Sequence, residues 1–98
     1  MYEYEPAPIA VFCYNRVEHL TRTIDSLRRN KMAAHSSLYI FSDQAKNSSD
    51  REAVDAVRAY LGEIHGFKKI NVICRDTNYG LAKSILSGVD TVLRSFDR

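Results

Sequence analysis

Three short polar stretches in this chain bring together residue types that can hold a phosphorylated ligand: Tyr14-Asn15-Arg16, Ser42-Asp43-Gln44 and Arg75-Asp76-Thr77-Asn78-Tyr79-Gly80. Arg16 offers a planar guanidinium suited to gripping a phosphate through two hydrogen bonds. A helix starting beside it adds free backbone N–H groups and the positive end of its dipole, so a diphosphate fits there. Asp43 carries a carboxylate able to accept from the imide N–H of a uracil or from a ribose hydroxyl. Each residue also has a plainer reading. Asn15 can simply cap a helix, with Arg16 solvated in its first turn, and Asp43 can open a turn in a loop of Ser, Asn and Lys. Asn78-Tyr79-Gly80-Leu81 can be a cap whose glycine relieves a tight entry, and Lys83 an exposed first-turn lysine.

Each stretch follows an apolar run that reads as a β-strand: residues 8–14 (Pro-Ile-Ala-Val-Phe-Cys-Tyr), 38–42 (Leu-Tyr-Ile-Phe-Ser) and 70–75 (Ile-Asn-Val-Ile-Cys-Arg). The first two are almost continuously apolar, as in parallel strands covered on both faces. Helical periodicity fills the intervals. The apolar positions are Val17, Leu20, Ile24 and Leu27 in 16–30, and Val54, Val57, Leu61 and Ile64 in 50–65. In 80–96 they are Leu81, Ile85, Leu86, Val89, Val92, Leu93 and Phe96, so each helix carries one apolar stripe toward a core. Asn15-Arg16-Val17-Glu18 and Ser49-Asp50-Arg51-Glu52 have the form of capping boxes, with Asn15 and Ser49 as N-caps. Gly66 reads as the stop of the second helix, and Asn78 with Gly80 opens the third. Residues 1–7 read as an unpaired lead-in.

The order β-α-β-α-β-α predicts an α/β fold: a parallel sheet with strand order 3-2-1 in a three-layer α/β/α arrangement, half of a doubly wound nucleotide-binding sheet. In such sheets ligands bind at the carboxyl ends of the strands, which is where the three polar stretches fall. Ninety-eight residues make a single domain with one core. With 45% hydrophobic and 27% charged residues, the chain has ordinary globular usage, which excludes disorder and collagen-like or coiled-coil repeats. A net charge of +2, with both signs interspersed, gives no electrostatic case for nucleic acid or an anionic membrane.

Other chemistries are set aside on spacing. Gly62, Gly66, Gly80 and Gly88 form neither a dinucleotide fingerprint nor a P-loop. His19, His35 and His65 lack metal-ligand spacing. Asp50 and Glu52 fall in a first helical turn, where acidic residues favour the dipole. Cys13 and Cys74 lie far apart inside apolar runs and read as buried reduced thiols. The acidic start Met1-Tyr2-Glu3-Tyr4-Glu5 lacks the positive region of a signal peptide, so the expected location is cytoplasmic.

The run Ile9-Ala10-Val11-Phe12-Cys13-Tyr14-Asn15-Arg16, with His19-Leu20 and Thr23-Ile24-Asp25-Ser26-Leu27, resembles the opening of GT-A-fold glycosyltransferases, especially family 2 enzymes and those like N-acetylglucosaminyltransferase I. Leu38-Tyr39-Ile40-Phe41-Ser42-Asp43 is similar to their second strand. Arg75 to Ser84, followed by Gly88-Val89, resembles their third strand and Asn-x-Gly-Leu helix start. The resemblance spans about residues 8–96. It implies binding of a nucleotide-sugar, commonly a UDP-sugar, and transfer of the sugar with inversion to an acceptor hydroxyl on a glycan or lipid-linked sugar. By the same resemblance Asp43 accepts from the base, Arg16 meets the diphosphate, Tyr14 and Asn15 line the nucleoside, and Asn78, Gly80 and Lys83 close the far side. The Mn²⁺ or Mg²⁺ of the family is held by an acidic motif expected past Arg98, so this chain supplies it no ligand. The expectation is therefore the donor-nucleotide part of a longer enzyme, inactive alone.

A second class of function is a non-catalytic α/β module that binds a partner chain through the open edge of the first strand. Order 3-2-1 leaves that strand, Ile9 to Cys13, without a neighbour on one side. It carries no Lys, internal Pro or bulge to blunt pairing, so a homodimer through this edge is also expected.

Overall fold

The computed structural model describes residues 7–96, so most of the lead-in 1–7 and the last two residues lie outside the described part. Strand β1 spans Ile9–Cys13, β2 Ser37–Ser42 and β3 Lys69–Cys74. Helix α1 spans Val17–Arg28, α2 Arg51–Leu61 and α3 Leu81–Phe96. The three strands form one parallel sheet with β2 in the middle. Its register pairs Val11 with Ile40 and Ile40 with Val72, which brings Cys13, Ser42 and Cys74 level at the carboxyl ends. The protein is thus a mixed α/β chain.

Alternation along the strands divides the core between two faces. Ile9, Val11, Leu38 and Ile40 pack with Leu20 and Ile24 of α1 and Val57 and Leu61 of α2. Ile24, Leu38, Ile40 and Val57 are wholly removed from solvent, each contributing roughly 1.5–3 kcal/mol. Phe12 and Phe41 point to the opposite face, where their rings stack with centroids 5.1 Å apart. Helix α3 crosses that face. A Cβ on Gly88 would lie 2.5 Å from the Phe12 ring and 3.1 Å from that of Phe41, so the helix backbone rests directly on the stacked pair.

This contact turns α3 away from the expected orientation, and of its apolar stripe, among the described residues, only Val92 keeps its buried place. The residues buried against the sheet are Ser84, Gly88 and Val92, successive at four-residue spacing, whereas Leu81, Ile85, Leu86, Val89 and Leu93 are exposed. Two large rings already fill the space above the strands, and only small residues let the helix approach them.

The expected caps are also replaced. Arg16, not Asn15, occupies the N-cap position of α1 and makes no side-chain capping bond. The Asn15 amide instead donates to the Asp50 carboxylate at 2.9 Å, a charge-assisted bond that outcompetes a neutral cap. Ser49 lies inside a 3₁₀ turn, Ser48–Asp50, that precedes α2, and its hydroxyl donates to Asn47 at 2.6 Å. The turn gives the Asp50 N–H a partner in the Asn47 carbonyl, so the position that needs a cap has moved past Ser49. At the other end α2 stops at Leu61, with Gly62 as its C-cap. Gly66 lies four residues further on, at φ +98° in the turn to β3, against the aliphatic stem of Arg28.

Candidate functional site

The carboxyl ends of the strands are built around Asp43, which is 6% exposed. Its backbone N–H continues the β1–β2 ladder by donating to the Cys13 carbonyl at 2.9 Å. Its side chain reaches across to the start of α3. Oδ1 accepts from the N–H groups of Gln44 at 2.9 Å and Tyr79 at 2.8 Å, and Oδ2 accepts from the Gly80 N–H at 3.0 Å. The Asn78 amide lies 3.5 Å from Oδ2 and donates more closely, at 2.8 Å, to the Gln44 carbonyl. Asp43 thereby fastens the loop 78–80 to the end of β2. Gly80 is needed for its φ of +81°, since nothing crowds its Cβ position, and its carbonyl accepts the first bond of α3, from Ser84 at 3.0 Å.

Arg58 of α2 holds the same strand ends from the other face. Its Nε donates to the Ser42 hydroxyl at 3.0 Å, and its Nη2 lies 3.0–3.2 Å from the carbonyls of Ser42, Asp43 and Arg75. Sequence reasoning missed this residue because a basic position on the polar side of a helix reads as solvated. Arg75, which stands in the third polar stretch, has no role assigned from the sequence. It is 8% exposed, its guanidinium lies over the rings of Phe41 and Tyr79 at 5.1 and 4.5 Å, and its Nε and Nη2 have no hydrogen-bond partner.

Beside these anchors a cleft of about 730 Å³ runs along the outer edge of β1, between α1 on one face and α3 on the other. Tyr14, Asn15, Arg16, Asp43, Asn78 and Gly80 all line it, so six expected site residues from three separate strand ends share one wall. Lys83 does not. Its ammonium turns away to lie 4.5 Å over the Tyr79 ring. Lys46, His19, Thr23 and Ser84 add to the polar lining, and Ala10, Leu20 and Leu81 are among its apolar residues. No family model, curated protein or solved structure matches this chain.

The cleft combines the N-terminal turns of two helices, an exposed Arg16 and Lys46, and amide groups from Asn15 and Asn78. Such a lining suits an anionic ligand with polar edges. Among the described residues no cluster of three or more His, Cys, Asp or Glu could hold a metal ion, and no helix is long and apolar enough to cross a membrane.

Both cysteines are free, and neither is wholly buried as expected: Cys13 is half-buried and Cys74 is exposed on the edge strand β3. Ser42 lies between them in register, so their Cα atoms are two strand spacings, about 9–10 Å, apart and too far to bridge. Burial pushes the Cys13 thiol from an ordinary 9.0 up to about 11. Because the folded value is the higher one, the stability this thiol contributes is full below its ordinary value of 9.0 and is lost as pH rises through about 11. At pH 8 it is thiolate in only about one molecule in a thousand. Iodoacetamide at that pH is expected to label the exposed Cys74 first, with Cys13 reacting at least several-fold more slowly; equal labelling rates by mass spectrometry would contradict the partial burial of Cys13.

Proposed function

We propose that this chain is the donor-nucleotide part of a GT-A-type, inverting glycosyltransferase that takes a UDP-sugar and passes the sugar to a hydroxyl of a glycan or lipid-linked acceptor. The observation that carries the reading is the position of the cleft. α1 leaves β1 on one face of the sheet, α3 crosses the other, and the polar lining gathers at the carboxyl end of β1 where the two diverge. In open, doubly wound α/β sheets that divergence is where nucleotides bind. Arg16 and the first turn of α1 meet the diphosphate, and Tyr14 and Asn15 flank the nucleoside. Asp43 meets the base through Oδ2, whose contact with Asn78, at 3.5 Å the longest the carboxylate makes, yields to an imide N–H at little cost. Asn78 keeps its closer bond to the Gln44 carbonyl. Mn²⁺ or Mg²⁺, commonly used by such enzymes, finds no ligand cluster among the described residues, and the reading takes no step through an ion.

Arg16 gives the cleanest test because it is exposed and its removal leaves the core untouched. UDP is expected to bind at about millimolar affinity, roughly 4 kcal/mol, and Arg16→Ala to weaken it at least ~10-fold while the urea midpoint stays in place. Equal UDP affinity of the two proteins in a calorimetric titration would remove the diphosphate from this end of the cleft. The second reading, a non-catalytic module binding a partner chain, is favoured by the open edge of β1, and it predicts that UDP does not bind.

A further inference from the structure

Asp50 stands where the loops after β1 and β2 meet. It is half-buried at the N-cap position of α2, and both of its carboxylate oxygens are engaged by residues that line the cleft. Oδ1 accepts from the Asn15 side-chain amide at 2.9 Å, and Oδ2 accepts from the Lys46 backbone N–H at 3.3 Å. The Asp50 N–H is itself held by the Asn47 carbonyl at 3.2 Å, so the carboxylate has a fixed base from which to hold both neighbours.

The bond to Asn15 settles which end of that amide is free. A carboxylate only accepts, so the NH2 group faces Asp50 and the carbonyl oxygen of the amide points the other way. That oxygen receives no hydrogen bond from the described residues, and Asn15 does not cap α1. The wall of the cleft thus carries two side-chain acceptors from adjacent loops, Asp43 and Asn15, beside the cations Arg16 and Lys46. A uridine diphosphate has few donors to offer them. Its phosphates supply none at neutral pH, and its imide N–H is met by Asp43 in the reading above, which leaves the ribose hydroxyls. We propose that Asp50 is a positioning residue: it turns the Asn15 amide so that Oδ1 accepts from a ribose hydroxyl, and it thereby makes the cleft prefer a ribonucleotide. This role rests on the nucleotide reading of the cleft. Without Asp50 the amide turns over freely and presents its NH2 about as readily as its oxygen, so the preference is lost with the bond.

Titrations with UDP and with dideoxyuridine diphosphate, which lacks both ribose hydroxyls, test this when followed by amide chemical shifts. The wild type is expected to bind UDP at least ~5-fold more tightly than the dideoxy compound, the worth of one hydrogen bond. In Asp50→Ala and in Asn15→Ala the preference is expected to shrink below ~2-fold, because UDP weakens while the dideoxy compound binds as before. The double variant falls no further than either single one, since Asp50 acts through Asn15. In the free protein the Asn15 side-chain NH2 resonances report the bond itself and move on Asp50→Ala. A merely structural role predicts instead that both ligands weaken together. Joint weakening, equal wild-type affinity for the two ligands, or a preference that survives either substitution would overturn the role of Asp50 and leave nucleotide binding in place. Saturable binding of neither ligand would overturn the nucleotide reading and this role with it.

Discussion

Asp43→Ala is expected to lower the unfolding free energy by about 3 kcal/mol, because three backbone N–H groups lose a carboxylate acceptor that is itself largely buried. The Tyr79 and Gly80 N–H groups are the two that matter most, since they stand 36 and 37 residues away in sequence and have no helical partner of their own. The loss should be concentrated at the entry to α3, where amide exchange of residues 79–84 accelerates before the sheet opens. Asp43→Asn keeps one acceptor oxygen and is expected to cost about half as much. Urea unfolding midpoints that are the same for all three proteins would show that Asp43 does not fasten the loop.

Arg58→Met is the second large effect, at about 2–3 kcal/mol. The aliphatic stem is kept, so packing changes little, while the Ser42 hydroxyl and the carbonyls of Ser42, Asp43 and Arg75 lose a charged donor. Of these acceptors, only the Ser42 carbonyl keeps a backbone bond given by the structure, from the Arg75 N–H at 2.9 Å. Arg58→Lys should recover less than half of the loss, because a single ammonium cannot reach both the hydroxyl and the carbonyls from one position. Full recovery by lysine in the same urea measurement would mean that charge alone, not the fork, holds the strand ends.

These two residues mark where the sequence could and could not be read. The strands and helices were legible because Leu38 to Phe41 is continuously apolar and Leu20, Ile24, Val54, Val57 and Leu61 recur at helical spacing, all of them buried. The polar ends of the strands were legible for the same reason, since a parallel sheet puts its loops at a known edge. The helix starts were not. Asn15 has the right type for a cap, but Asp50, 35 residues away, offers its amide a better partner. Local patterns cannot register a competitor that only folding brings near. The orientation of α3 was hidden by a similar effect. Periodicity sends Leu86 and Leu93 to the core, yet the stacked Phe12 and Phe41 rings leave room only for Gly88 and its small neighbour Ser84. For Asp43 the residue type pointed to the site, while the backbone donors it holds could not be inferred from spacing. Arg58 gave no signal, because its acceptors are carbonyl groups that every residue carries.

The central claim, that the cleft at the carboxyl end of β1 binds the donor nucleotide, is tested most directly by amide chemical shifts during titration with UDP to several times its expected about-millimolar dissociation constant. The account predicts saturable shifts confined to Tyr14, Asn15, Arg16, Asp43, Lys46, Asn78 and Gly80, residues that line the cleft from three strand ends. Shifts that cluster instead on the α1–α2 face of the sheet or along the β3 edge, or none at all at those concentrations, would contradict it.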